Sequence, residues 1–239
     1  MILVGTSGWQ YDSWRARFYP RGLPARDWLA WYASRFPVVE VNNTFYRLPA
    51  EATFERWRDE MPAGFTFVLK ASRLITHLRR LRDARDAVEL LWSRAERLGP
   101  KLGPILFQLP PRFPVDPSRL AAFLGVLPKQ MRAAFEFRDP SWHRDDVLGL
   151  LDRAGAAWVM ADRPGARVPR VATGGWAYLR LHQGRADQPG YTRRKLWTWA
   201  GRLSELPVRE AYAFFNNDEL AAAPHDAATL ADLLSRVGS

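Results

Sequence analysis

Tyr178-Leu179-Arg180-Leu181-His182 is the stretch on which the reading of this chain turns. Successive side chains of a β-strand point to opposite faces. The two leucines therefore share one face, and Tyr178, Arg180 and His182 share the other. The same alternation sets Glu40 and Asn42 against Val39 and Val41, and Glu136 and Arg138 against Phe135 and Phe137. In a closed sheet one face meets surrounding helices and the other meets the lumen. The apolar set suits the helices, so the charged set is expected to point inward.

Outward from this strand, short runs rich in Val, Ile and Phe recur about every 30 residues. They predict strands over 2–6, 38–44, 65–71, 104–109, 133–138, 156–162, 176–182 and 211–216. Apolar residues at helical spacing predict helices between them, over 27–36, 50–61, 83–98, 118–127, 145–154 and 192–203, with a last one over 226–237. The segment 163–175 is rich in Pro and Gly, so the crossover after strand six is expected to lack a regular helix. No repeat is visible in the sequence. Strand followed by helix implies parallel strands joined by right-handed crossovers. Eight such units in 239 residues favour a closed, somewhat irregular (β/α)8 TIM-type barrel over an open doubly wound sheet. The first turn, Gly5-Thr6-Ser7-Gly8-Trp9-Gln10, lacks the third glycine of a dinucleotide fingerprint. No linker divides the chain, so residues 1–239 are expected to form one domain.

Composition narrows the function classes. Cysteine is absent, which rules out disulfides and thiolate metal sites and fits a reducing compartment. The N-terminal run has no basic segment, long apolar core or small-residue cleavage site, and no apolar stretch is long enough for a membrane span. A cytoplasmic protein without a membrane partner is expected. The net charge is +10, and four of the 35 basic residues are lysines, the other 31 arginines. Arginine forks match phosphate oxygens, so a basic balance can mark a polyanion surface. It can equally reflect an arginine-rich coding bias, since the basic residues are scattered.

Polar residues gather where the expected strands end: Glu40 and Asn42, Lys70, Gln108, Glu136 and Arg138, Asp162, Arg180 and His182, then Asn216, Asn217 and Asp218. That is the face on which barrel active sites are built. A buried charge needs a partner or a ligand, so this cluster is either a site or a plug of mutual salt bridges.

Seven segments carry a resemblance: GTSGW at 5–9, EVNNTFYRLP at 40–49, KASRLITH at 70–77, LGPILFQLPPRF at 102–113, EFRDPSW at 136–142, YLRLHQG at 178–184 and FFNND at 214–218. Together they resemble the domain of unknown function 72 family, also called YecE-like, from the first strand to the last. The resemblance implies a closed, irregular β/α barrel, distantly related to barrels such as endonuclease IV and the sugar isomerases. It implies a fold rather than a reaction. The chain departs from the family pattern after the asparagine pair, where Glu219-Leu220-Ala221-Ala222 replaces a glycine-containing segment.

Several chemistries can be weighed on these residues. Only His182 and His77 lie near strand ends on the right face, too few for a trinuclear zinc site. A single divalent cation on Glu40, Glu136, Asp162 or Asp218 stays open; no resident cofactor or metal is expected. Glu136 and Glu40 are candidates for general acid and base. Lys70 is a candidate electrostatic or nucleophilic helper, unless it simply pairs with Glu40 or Glu136. Arg138 and Arg180, with Lys70 and Arg47, suit an anion clamp. Asn42, Gln108, His182, Asn216, Asp218 and His77 are expected to orient a ligand. Loop aromatics, chiefly Trp9, Tyr46 and Trp142 with Tyr11, Trp14 and Tyr191, are expected as stacking platforms for bases. The leading expectation is an enzyme acting on a phosphate-bearing substrate, DNA, RNA or a nucleotide. The alternatives are a non-catalytic nucleic-acid-binding barrel and a carbohydrate-type enzyme with paired glutamates. The pattern specifies no oligomeric state.

Overall fold

Eight parallel strands close on themselves in sequence order, each beside its neighbours, with β8 returning to β1. They are β1 (Ile2–Ser7), β2 (Val38–Val41), β3 (Thr66–Lys70), β4 (Leu102–Gln108), β5 (Ala133–Glu136), β6 (Ala157–Asp162), β7 (Ala177–Leu181) and β8 (Ala211–Phe215). This is a computed structural model, describing residues 1–183 and 188–237. Around the barrel run α1 (Trp28–Ala33), α2 (Glu51–Glu60), α3 (Arg85–Ala95), α4 (Pro117–Leu124), α5 (Asp145–Arg153), α6 (Arg193–Glu205) and α7 (Ala222–Val237). The (β/α)8 expectation holds, and no helix lies between β6 and β7.

The alternation read from the sequence divides the core in two. Val39, Val41, Phe67, Leu69, Phe107, Phe135, Leu179, Leu181 and Phe215 pack outward against the helices. Val38, Val68, Leu106, Ala134, Ala157, Val159, Tyr178, Tyr212 and Phe214 fill the lumen as a separate cluster. The barrel is therefore packed at its base, and its polar residues lie above that layer.

The structure corrects several element boundaries. The second strand ends at Val41 rather than 44, because Asn43–Phe45 turn back as a 3-10 helix. The Thr44 hydroxyl reaches the carbonyls of Val41 at 2.9 Å and Lys70 at 2.7 Å, tying that turn to β3. The fifth strand stops at Glu136, before Asp139 accepts from Ser141 N at 3.0 Å and begins a turn. The last helix starts at Ala222, four residues earlier than expected, with Pro224 in its first turn, where a missing N–H costs nothing. The barrel is also irregular between β1 and β2. Tyr32 on α1 puts its hydroxyl between them, accepting from Thr6 N at 2.8 Å and donating to Val38 O at 3.0 Å.

Candidate functional site at the barrel mouth

Each strand except β6 ends its lumen-facing set on a polar side chain. These are Ser7, Glu40, Lys70, Gln108, Glu136, Arg180 and, one residue past β8, Asn216. They form one layer above the apolar plug. Two residues further along each chain, Asn42, Arg138, Arg163 and His182 begin a second, more open layer.

Arg180 is the hub of the first layer. Its Nη2 and Nε donate to Glu40 at 2.6 and 3.0 Å, and its Nη1 donates to Glu136 at 2.6 Å. All three residues are buried, at 1 % exposure or less. Tyr178 donates to Glu40 at 2.5 Å, and Gln108 donates to Glu136 at 2.9 Å. Burial alone would raise the Glu136 carboxyl, but the guanidiniums of Arg180 and Arg138 override it and hold it well below the usual carboxylate range. Burial would lower Arg180, and the two carboxylates outweigh that and raise it. This triad is a fixed, fully paired floor.

The second layer is under-paired. Arg138 reaches Glu136 only at 3.4 Å and is partly exposed. His182 approaches Asn216 through Nδ1 at 3.4 Å, while its Nε2 stands 3.7 Å from Glu136 without a hydrogen bond. Burial, then the nearby Arg180, pushes His182 down to about 3, so the ring is neutral at physiological pH. Asn42 donates to Ser7 O at 3.1 Å and leaves Oδ1 buried without a hydrogen-bond partner among the described residues. Arg163 leaves its Nε in the same condition.

Lys70 does not pair with Glu40 or Glu136, since Arg180 occupies both. Among the described residues no carboxylate lies within ion-pair distance of it; its ammonium rests 4.4 Å over the Phe45 ring. Burial and the charge of Arg180 push it down to about 8, partly opposed by Glu40 and Glu136. His77, on the turn Leu74–Leu78, meets the same Phe45 ring edge-on at 5.0 Å and so faces the mouth. Its pKa is lowered by burial and by Lys70.

The aromatic platforms mostly fail. Trp9 is buried edge-on against Trp57, and Trp142 is buried, stacked on Phe137 and donating to Phe113 O at 2.6 Å. Trp14 and Tyr191 are buried as well. Each fills the gap between a loop and the barrel instead of meeting solvent. Tyr46, at 75 % exposure, remains available, and Arg47 beside it is exposed. Asp162 points outward to Trp199 Nε1 and Lys195 Nζ, both at 3.0 Å. Asp218 takes Trp14 Nε1 on its backbone carbonyl, and its carboxylate acts on Tyr11 at the rim. Among the described residues, no three His, Asp or Glu side chains are grouped to hold a metal ion.

Arg163 was hidden from sequence reading because it opens the Pro/Gly-rich loop. Continuing the alternation past Ala161, instead of stopping at Asp162, reaches it. Ser7 was legible in the same way. Where the chain departs from the family pattern, Leu220 (φ 54) and Ala221 (φ 62) hold the left-handed backbone that glycine adopts without strain.

Similarity to known proteins extends over the whole barrel. The chain is 27 % identical to UPF0759 protein YunF of Bacillus subtilis, covering 98 % of this chain and 95 % of that protein. The crystal structure of a DUF72 family protein of Thermotoga maritima superposes with a TM-score of 0.89 at 27 % identity, covering 98 % of this chain and 99 % of that one. A DUF72 family protein of Enterococcus faecalis shares the fold, with a TM-score of 0.81 at 19 % identity over 98 % of this chain and 96 % of that one. The family model described as "Protein of unknown function DUF72" matches residues 3–238, so the chain belongs to the DUF72 family.

Proposed function

We propose that this barrel is an enzyme acting on a phosphate-bearing substrate, a nucleic acid or a nucleotide, held across the mouth. One observation carries the reading: among the described residues, the cations at the mouth outside the Arg180 triad are short of carboxylate partners. Glu40 and Glu136 are taken by Arg180, while Lys70, Arg138 and Arg163 converge above them with weak contacts or none. Like charges held together in a half-buried site favour an anion, and arginine forks suit phosphate oxygens. His182 Nε2 and Asn42 Oδ1 supply further unpaired polar atoms for the same ligand. The paired-glutamate reading is weaker, since a glycosidase acid needs a raised pKa and Glu136 is held low.

The test is fluorescence anisotropy of labelled single-stranded and duplex oligonucleotides across a salt series, with a mononucleotide as competitor. Arg138→Ala and Arg163→Ala are each expected to weaken binding about tenfold and to reduce the salt slope by about one. Arg209→Ala, at the opposite end of the barrel before β8, should change neither. Mouth variants that bind like the wild type would sink the reading. Strand cleavage or base release, assayed with and without chelator, separates an enzyme from a binding module.

A further inference from the structure

We propose that Lys70 is a nucleophilic amine that forms a Schiff base with the carbonyl carbon of a phosphate-bearing aldehyde or ketone. This rests on the phosphate reading above and adds the reacting group. Lys70 ends β3 inside the polar ring, half-buried and within reach of a ligand in the mouth. Its ammonium has no carboxylate at ion-pair distance among the described residues, and the face of Phe45 backs it at 4.4 Å. The other lysines are spent or remote: Lys101 donates to the carbonyls of Arg58 and Met61, Lys195 pairs with Asp162, and Lys129 is exposed.

The charged and titratable groups acting on Lys70 are Arg180, Arg138, Glu40, Glu136 and His77. Burial and the two arginines bring it to about 8, which raises the free-amine fraction at neutral pH by about two orders of magnitude. The amine nitrogen attacks the carbonyl carbon, and the C=O pair becomes a hydroxyl. Loss of that hydroxyl as water leaves a protonated imine. The ammonium form and the carbonyl thus become iminium and water, with charge conserved and no oxidant or reductant. The iminium keeps the positive charge above Glu40 and Glu136, and the substrate phosphate meets Arg138 and Arg163.

The experiment is reductive trapping. The whole protein is incubated with sodium cyanoborohydride and glyceraldehyde 3-phosphate, glyceraldehyde, or an oligonucleotide with one abasic sugar. Adducts are read by intact mass and peptide mapping, and binding of each phosphate probe is measured in parallel. One adduct, on Lys70, is expected, forming at least tenfold faster with a phosphorylated aldehyde than with glyceraldehyde. Trapping should rise with pH through about 8. Lys70→Arg should abolish the adduct, whereas Lys129→Arg, at an exposed lysine away from the mouth, should leave both the adduct and phosphate binding unchanged. The faster of the two phosphorylated probes identifies a free sugar phosphate or a nucleic acid as the source. Binding without an adduct, or adducts spread evenly over the four lysines, overturns the inference and leaves the phosphate reading standing. Absence of binding by either phosphate probe, or glyceraldehyde trapping Lys70 as fast as its phosphate, overturns the phosphate reading instead.

Discussion

Arg180 shows how much one residue can settle. It lies at the bottom of the polar ring and satisfies two buried carboxylates with three hydrogen bonds of 2.6 to 3.0 Å. Removing one partner of such a buried network leaves an uncompensated charge, at a cost of about 3–5 kcal/mol. Arg180→Met is expected to lose that much in urea unfolding. Arg180→Lys should recover only part of it, because an ammonium cannot make the fork to Glu40 and also reach Glu136. A second prediction follows from His182, whose folded pKa of about 3 lies below its ordinary 6.5. Between those values the unfolded chain binds the proton and the folded one does not, so stability falls as pH drops through that window. The loss is about 1.4 kcal/mol per pH unit for one such group. His77 and His143 are shifted the same way and add to it. Glu136, held low, adds stability above the ordinary carboxylate range that is lost in stronger acid. Urea midpoints across pH 7 to 4 should therefore decline, and His182→Gln should flatten that decline.

At the level of elements, period-two alternation made the site legible and also set its limits. It places Glu40, Glu136, Tyr178 and Arg180 in the lumen from the sequence alone. Its limit shows at β6, which ends at Asp162 as expected: Asp162 faces α6, and Arg163 beyond it does not. The aromatic loops misled for another reason. Trp9 and Trp142 follow strand ends, but a barrel must also cover its helix tops, and large apolar rings do that. Nothing in the sequence marks Tyr32 as a bridge between strands, because two of its three partners are backbone atoms, Thr6 N and Val38 O, and the third is the Thr6 hydroxyl. Tyr32→Phe would leave that N–H and that carbonyl buried and unpaired. A loss of about 1–3 kcal/mol is expected in thermal or urea unfolding, with the circular dichroism spectrum preserved.

For the whole molecule, the excess of arginine gave little direction by itself, since most of it is dispersed over the surface. The informative charge is the small set that the barrel closure brings together from β3, β5, β6 and β7, which lie far apart in sequence. That convergence, more than the net charge of +10, is the basis for expecting a phosphate. The chain offers a clean probe of it, because it holds only four lysines and one of them is in the mouth. The most direct measurement is the pH titration of the lysine side chains by NMR on protein carrying carbon-13 at the lysine ε position. Lys70→Arg assigns the signal, and the titration is run with and without a mononucleotide. The account predicts one lysine titrating near 8 in the free protein, moving upward by about a unit or more when the phosphate enters. A Lys70 that titrates with the other three, or that ignores the nucleotide, would contradict it.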